Sequence, residues 1–106
     1  MVPEVTPTEF LALRKSGADV VLLDVREAWE LAVARVPDIV HIPMGEVATR
    51  LGELNPARQT VVLCRSGRRS MEIARLLEQK GFQSVANLKG GILAWARELD
   101  PSLATY

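Results

Sequence analysis

Apolar residues occur along the chain both in short continuous runs and in stretches with helical spacing. VVLLD (20–24) and TVVLC (60–64) are two such runs, and each is apolar except for one end residue, Asp24 or Thr60. A run of this length with no polar face predicts a strand that is buried on both sides of a sheet. Shorter runs at 38–43 and 84–88 predict two more strands, and Pro43 ends the first of these.

The segments between these strands carry helix signals. SMEIARLLEQKG (70–81) is the clearest, because Ile73, Leu76 and Leu77 share one helical face. Gly81 then provides a stop. Further helices are predicted at 6–17, 26–34, 45–54 and 90–100.

Some of these helices have specific end and face signals. The first begins with a capping box, in which Thr6 caps the helix and Glu9 completes the box. The spacing of apolar residues puts Trp29 on one face of the second helix, and Trp95 lies among aliphatic residues of the last. We therefore expect both indole rings in the core. The tail that follows Pro101 gives no structural signal.

The alternation of strands and helices is typical of a parallel sheet covered by helices on both faces. The chain has no internal repeat, linker or low-complexity segment, so we expect residues 1–106 to form one α/β domain. In such sheets the ligand site lies beyond the carboxyl ends of the strands. Cys64 and Asp24 stand at two of these ends and are the first candidates for a site.

Composition narrows the range of partners. Basic and acidic residues both number 13, so the net charge is zero and gives no sign of nucleic-acid or membrane binding. The N-terminus has no signal-peptide pattern, and no apolar run is long enough for a transmembrane helix. One cysteine cannot form an internal disulfide, so we expect a reducing compartment, the cytoplasm. The chain has neither a second cysteine nor a cluster of histidines, so the sequence gives no sign of a bound metal or cofactor.

The residues after Cys64, RSGRR, concentrate positive charge beside the only thiol of the chain. Backbone N–H groups in a tight strand-to-helix loop can form an anion-binding nest, and the helix N-terminus adds partial positive charge. Arg65, Arg68 and Arg69 add full charges. Gly67 permits a backbone conformation that a β-carbon would penalise. Together these features favour a thiolate over a thiol and attract an anionic substrate.

Ordinary explanations exist for a lone cysteine and for clustered arginines. The cysteine is more often a small buried hydrophobe, and the arginines more often a solvated helix start. Their coincidence on a glycine-containing loop favours a reactive thiol. Two chemistries use such a loop, phosphate-ester hydrolysis and sulfur transfer. Cysteine phosphatases need an arginine in the pattern C-x5-R. Here the arginine is Arg69, which gives C-x4-R, and Ser70 stands where a phosphatase has its arginine. The shorter loop disfavours a tetrahedral phosphate and suits a sulfur atom carried on Cys64.

Four motifs spread over most of the chain share one family pattern: LLDVRE (22–27), VHIPMGEV (40–47), VVLCRSGRRS (61–70) and GFQSVANLKGGILAW (81–95). Together they resemble the single-domain rhodaneses, which are sulfurtransferases with an active loop of the form C-R-x-G-x-[R/T]. The resemblance implies a three-layer α/β/α sandwich with a five-stranded parallel sheet. A short strand near Val5 would complete the five. One segment departs from the pattern: the family often has GHIPGA where this chain reads ARVPDI (34–39), with Asp38 in place of the second glycine.

The resemblance also implies a two-step transfer that needs no cofactor. Cys64 would take the outer sulfur of a small anionic donor such as thiosulfate as a persulfide, and a thiol or cyanide acceptor would then remove it. Arg65 would bind the thiosulfate, and Arg69 would steady the loop and the anion. Backbone amides along the whole loop would cradle the persulfide, and the loop consists of Arg65, Ser66, Gly67, Arg68, Arg69 and Ser70.

Asp24, Arg26 and His41 each allow two interpretations. By resemblance, Asp24 and Arg26 form an ion pair behind the site; alternatively they are a surface pair or a helix cap. His41 could donate a proton, but its place inside a short strand favours a structural role.

The function stays open between two classes. One is an enzyme, a thiosulfate sulfurtransferase. The other is a relay module that hands its persulfide to a partner protein in cofactor or thio-nucleoside synthesis. Both use Cys64 in the same way and differ only in the acceptor. An inactive structural domain of this type is disfavoured, because such domains usually lack the cysteine.

Overall fold

The computed structural model describes all 106 residues, and a five-stranded sheet forms its centre. The strands in chain order are β1 (Glu4–Val5), β2 (Val20–Asp24), β3 (Val40–His41), β4 (Gln59–Leu63) and β5 (Val85–Leu88). All neighbouring strands are parallel, and their order across the sheet is β1-β5-β4-β2-β3. The expected fold class is confirmed, and the strand near Val5 is β1.

Helices cover both faces of this sheet. They are α1 (Pro7–Lys15), α2 (Ala28–Val33), α3 (Arg68–Gln79) and α4 (Gly91–Glu98), with two 3-10 helices at Met44–Thr49 and Leu51–Glu53. On one face the core contains Val62 and Ile73, and on the other it contains Phe10 and Trp95. None of the helices combines the length and the apolar composition that a membrane crossing needs.

Several local signals act as the sequence predicts. The Glu9 amide donates to the Thr6 hydroxyl over 3.1 Å, and the Thr6 amide donates to the Glu9 carboxylate over 2.8 Å, which completes the capping box of α1. Trp95 is buried, as expected. β2 and β4 are adjacent, so Asp24 pairs in register with Leu63. This register brings the ends of the two central strands to one edge of the sheet.

The prediction that α2 buries the face with Trp29 is wrong. Trp29 is 62% exposed and Val33 is 42% exposed, whereas Glu30 and Leu31 are buried. The helix turns the opposite face inward because the Glu30 carboxylate binds Arg69 there.

Two other segments are less regular than expected. The helix predicted at 45–54 is replaced by the two 3-10 helices, and Gly45 and Gly52 in this stretch weaken an α-helix. The strand predicted at 38–43 is only the two residues of β3, because Asp38 takes a left-handed backbone conformation with φ of 57°. Asp tolerates this conformation better than most residues with a β-carbon, which explains its place where rhodaneses often carry glycine.

Candidate active site

The loop between β4 and α3 holds the Cys64 sulfur at the N-terminus of a 12-residue helix. The Gly67 amide donates to Cys64 Sγ over 3.0 Å, and the Ser70 hydroxyl donates to the same atom over 3.2 Å. Gly67 has φ of 103°, the left-handed conformation that the sequence predicts for it. Two hydrogen-bond donors and a helix N-terminus thus converge on one sulfur, and all three stabilise negative charge there.

Cys64 is nevertheless almost completely buried, with 1% of its surface exposed. Its side chain belongs to the core cluster that includes Val62 and Ile73. A reagent must therefore approach through the opening of the loop. A sulfur atom added to Sγ lengthens the side chain by one S–S bond of about 2.0 Å.

The N-terminus of α4 fixes the other side of the loop. The Ile92 amide donates to the Cys64 carbonyl over 2.9 Å, and the Leu93 amide donates to the Arg65 carbonyl over 3.2 Å. Gly91 allows this approach, since a β-carbon there would lie 2.6 Å from the Cys64 carbonyl oxygen. The glycine at the start of α4 therefore lets this helix hold the loop that follows Cys64.

Asn87 holds the loop glycine from the neighbouring strand β5. Its amide nitrogen donates to the Gly67 carbonyl over 3.0 Å and to the Glu4 carboxylate over 3.1 Å. The side chain is 1% exposed, and its Oδ1 atom has no hydrogen-bond partner. Asn87 therefore stabilises the conformation in which Gly67 donates to the sulfur.

The three loop arginines have different surroundings. Arg65, Arg68 and Arg69 line one polar cleft together with Ser66 and Glu72. Arg68 is exposed and has neither a hydrogen bond nor an ion pair from its side chain. Arg68 is thus the loop arginine with all its donors free.

Arg69 points its guanidinium at Glu30. Its two terminal nitrogens donate to the two carboxylate oxygens over 2.7 Å each. The Arg69 guanidinium lowers the pKa of Glu30 from 4.5 to about 2, and the Glu27 amide and the Tyr106 hydroxyl also donate to that carboxylate. The same pair raises the pKa of Arg69. Arg69 therefore ties α3 to α2, with one N–H of each terminal nitrogen committed to Glu30.

Asp24 and Arg26 form an ion pair with both side chains fully buried, so the surface-pair interpretation is wrong. The terminal nitrogen of Arg26 lies 2.8 Å from the Asp24 carboxylate, and Arg26 also donates to the Tyr106 hydroxyl over 3.0 Å. The Tyr106 hydroxyl donates in turn to Glu30 over 2.9 Å. A continuous polar network thus runs from the end of β2 through Tyr106 to Glu30, which binds Arg69 in the loop after Cys64.

His41 lies outside this network of side chains. Its Nε2 atom is 2.7 Å from the main-chain oxygen of Arg26, which fits the structural role that its position predicts. The histidine thereby fixes the backbone of the buried arginine.

Three residues of this site escape the sequence analysis: Glu30, Asn87 and Tyr106. Glu30 sits on the helix face that the apolar spacing turns outward, and Tyr106 belongs to the tail without a structural signal. Asn87 interrupts an otherwise apolar strand, and this interruption is the one signal that could have identified it.

The fold and this loop define a class of protein: a parallel α/β domain that presents one buried thiol to an arginine-lined cleft. The sequence profile of the family described as "Rhodanese-like domain" matches residues 6–98. The chain therefore belongs to the rhodanese-like domain family.

Individual relatives agree with this assignment. The chain is 38% identical over 104 residues to a "Sulfurtransferase" of Allochromatium vinosum, covering 98% of this chain and 97% of the relative. It is 39% identical to the "Putative sulfur carrier protein YrkF" of Bacillus subtilis, covering 89% of this chain and 51% of that protein. Among solved structures, a rhodanese-like domain protein from Staphylococcus aureus has a TM-score of 0.85 at 27% identity, with 99% of both chains covered.

Proposed function

We propose that the protein is a sulfurtransferase that moves a sulfane sulfur from thiosulfate to cyanide or a thiol through a persulfide on Cys64. The observation that carries this proposal is the geometry of the sulfur, which accepts hydrogen bonds from Gly67 and Ser70 at the N-terminus of α3. A full-length relative that is a sulfurtransferase supports the same reaction class. Because the only cysteine is this thiol, we place the reaction in the reducing cytoplasm.

The two steps balance without an external oxidant or reductant. The Cys64 thiolate attacks the outer sulfur of thiosulfate, a new S–S bond forms, and sulfite leaves with the electron pair of the broken bond. The loop amides then hold the negative persulfide. Cyanide attacks the terminal sulfur, thiocyanate forms, and the electron pair of the second S–S bond returns to Cys64 as a thiolate.

The arginine cleft suits the first step. Thiosulfate and the departing sulfite are both anions, and Arg65 and Arg68 supply positive charge at the mouth of the loop. A charge-assisted hydrogen bond to such an anion is stronger than a neutral one. The loop also follows C-x4-R, which leaves less room than the phosphatase loop, so we expect negligible hydrolysis of phosphotyrosine analogues.

Intact-mass analysis tests the covalent step. Exposure to thiosulfate should add one sulfur atom to the wild-type protein, and cyanide should remove it with release of thiocyanate. The Cys64→Ser protein, with its fold checked by thermal unfolding, should gain nothing and release no thiocyanate. A wild-type protein that gains no sulfur, or a Cys64→Ser protein that still turns over, contradicts the proposal.

A sulfur-relay role is the second candidate, and the likeness to a putative sulfur carrier favours it. A relay module would form the same persulfide but give it up slowly to small acceptors. The two roles separate when the persulfide is loaded first and its lifetime is measured with cyanide and with a small thiol. Rapid discharge supports the enzyme, whereas a persulfide that persists points to a protein acceptor.

A further inference from the structure

The last residue of the structure lies against the active-site loop. A main-chain oxygen of Tyr106 accepts a hydrogen bond from Nε of Arg65, which is 41 positions away in sequence. The guanidinium carbon of Arg65 also lies 5.3 Å from the centroid of the Tyr106 ring. One residue therefore binds the Nε atom of Arg65 and places its ring beneath the guanidinium of the same side chain.

Tyr106 is itself held from three sides. Its hydroxyl accepts a hydrogen bond from Arg26 over 3.0 Å and donates one to Glu30 over 2.9 Å. Its ring packs edge-on against Trp29, with the ring centroids 5.8 Å apart. Arg26 and Glu30 are buried, so the ring rests on a fixed part of the molecule rather than on mobile surface groups.

This support decides which donors of Arg65 remain available. The Nε atom is occupied and the guanidinium carbon lies over the Tyr106 ring, whereas the two terminal nitrogens have no protein partner. These nitrogens belong to a residue that lines the same cleft as Ser66 and Arg68. A planar guanidinium with two free terminal nitrogens can bind two oxygen atoms of an oxyanion, provided that the guanidinium is held in place.

We infer that Tyr106 is a positioning residue that holds Arg65 ready for the oxyanion group of the sulfur donor. The inference deepens the proposed function and rests on it, since thiosulfate is the anion that Arg65 would bind. Without the Tyr106 ring, Arg65 has many rotamers and pays their entropy when the donor binds. The donor then binds more weakly, while the chemistry at Cys64 is unchanged.

Steady-state kinetics with thiosulfate give the first test. Tyr106→Ala should raise KM by about three- to tenfold with kcat unchanged, since the lost interaction acts on donor binding. Tyr106→Phe keeps the ring over Arg65 but loses the hydroxyl bonds to Arg26 and Glu30, so its KM should lie between those of wild type and Tyr106→Ala. Thr105→Ala is the matched control, because this neighbour is exposed and makes no side-chain hydrogen bond.

A double-mutant cycle identifies the route of the effect. In an Arg65→Ala background, Tyr106→Ala should raise KM no further. The same cycle is measured by calorimetric binding of thiosulfate to proteins that carry Cys64→Ser, which needs no turnover. A fall in kcat at constant KM, or a Tyr106 effect that persists without Arg65, overturns the inference. Absence of turnover in the wild type contradicts the proposed function instead, and the binding cycle still decides the role of Tyr106.

Discussion

The Arg69–Glu30 pair provides a quantitative test of how the loop is anchored. The Glu30 side chain is 3% exposed, and the Arg69 side chain is 35% exposed. Arg69→Ala leaves the Glu30 carboxylate buried with only the Glu27 amide and the Tyr106 hydroxyl as donors. Losing one partner of a buried pair is destabilising because the remaining charge is no longer compensated.

The magnitude follows from the pKa of Glu30. The folded protein lowers this pKa from 4.5 to about 2, mainly through Arg69. At about 1.4 kcal/mol for each pKa unit, the whole difference corresponds to roughly 3.5 kcal/mol of stability. Part of it comes from the other two donors, and water screens the partly exposed Arg69 guanidinium. We therefore expect Arg69→Ala to lower the free energy of unfolding at neutral pH by about 2 kcal/mol.

The sign of the pH dependence gives a second readout. A lowered folded pKa stabilises the protein above the unfolded value of 4.5, and this stability is lost as the pH falls toward about 2. Urea unfolding of wild type and Arg69→Ala should therefore differ most at neutral pH, with a difference that shrinks below about pH 4.5 and disappears near about pH 2. Arg68→Ala is the control, and its free exposed side chain predicts a change within about 0.5 kcal/mol. An equal difference at both pH values, or an equal effect of the control, refutes this account of the pair.

Two further predictions concern the backbone of the loop. Gly91→Ala should lower the melting temperature strongly, because the β-carbon would meet the Cys64 carbonyl and the backbone has φ of 60°. Gly52→Ala has open space at its β-carbon and should not lower it. Asn87→Leu removes the hydrogen bond to Gly67, together with an unpaired Oδ1 atom, and should slow persulfide formation by about three- to tenfold with little change in unfolding temperature. Mass spectrometry over time after thiosulfate addition measures that rate, and a wild-type rate would show that Asn87 does not position the loop.

Local sequence determines the loop that carries the chemistry. β4 ends immediately before Cys64, the apolar face of α3 follows, and Gly67 between them takes the left-handed conformation that a glycine there predicts. The capping box at Thr6 forms for the same reason, since its partners are three residues apart. Interactions within one turn depend on spacing and residue type alone, so the sequence is enough to predict them.

Only the tertiary structure decides what surrounds that loop. Glu30 is 39 positions from Arg69, and Tyr106 is 80 positions from Arg26, so no local pattern links either pair. The apolar spacing of α2 predicts Trp29 in the core, but burial of the Glu30 ion pair turns the helix the other way and leaves Trp29 to pack on Tyr106. A buried charge is stable only beside its partner, and the partner's place is set by packing of the whole sheet and its helices. For that reason the sequence determines the thiol and its loop, whereas the folded chain determines which arginines are free to meet a substrate.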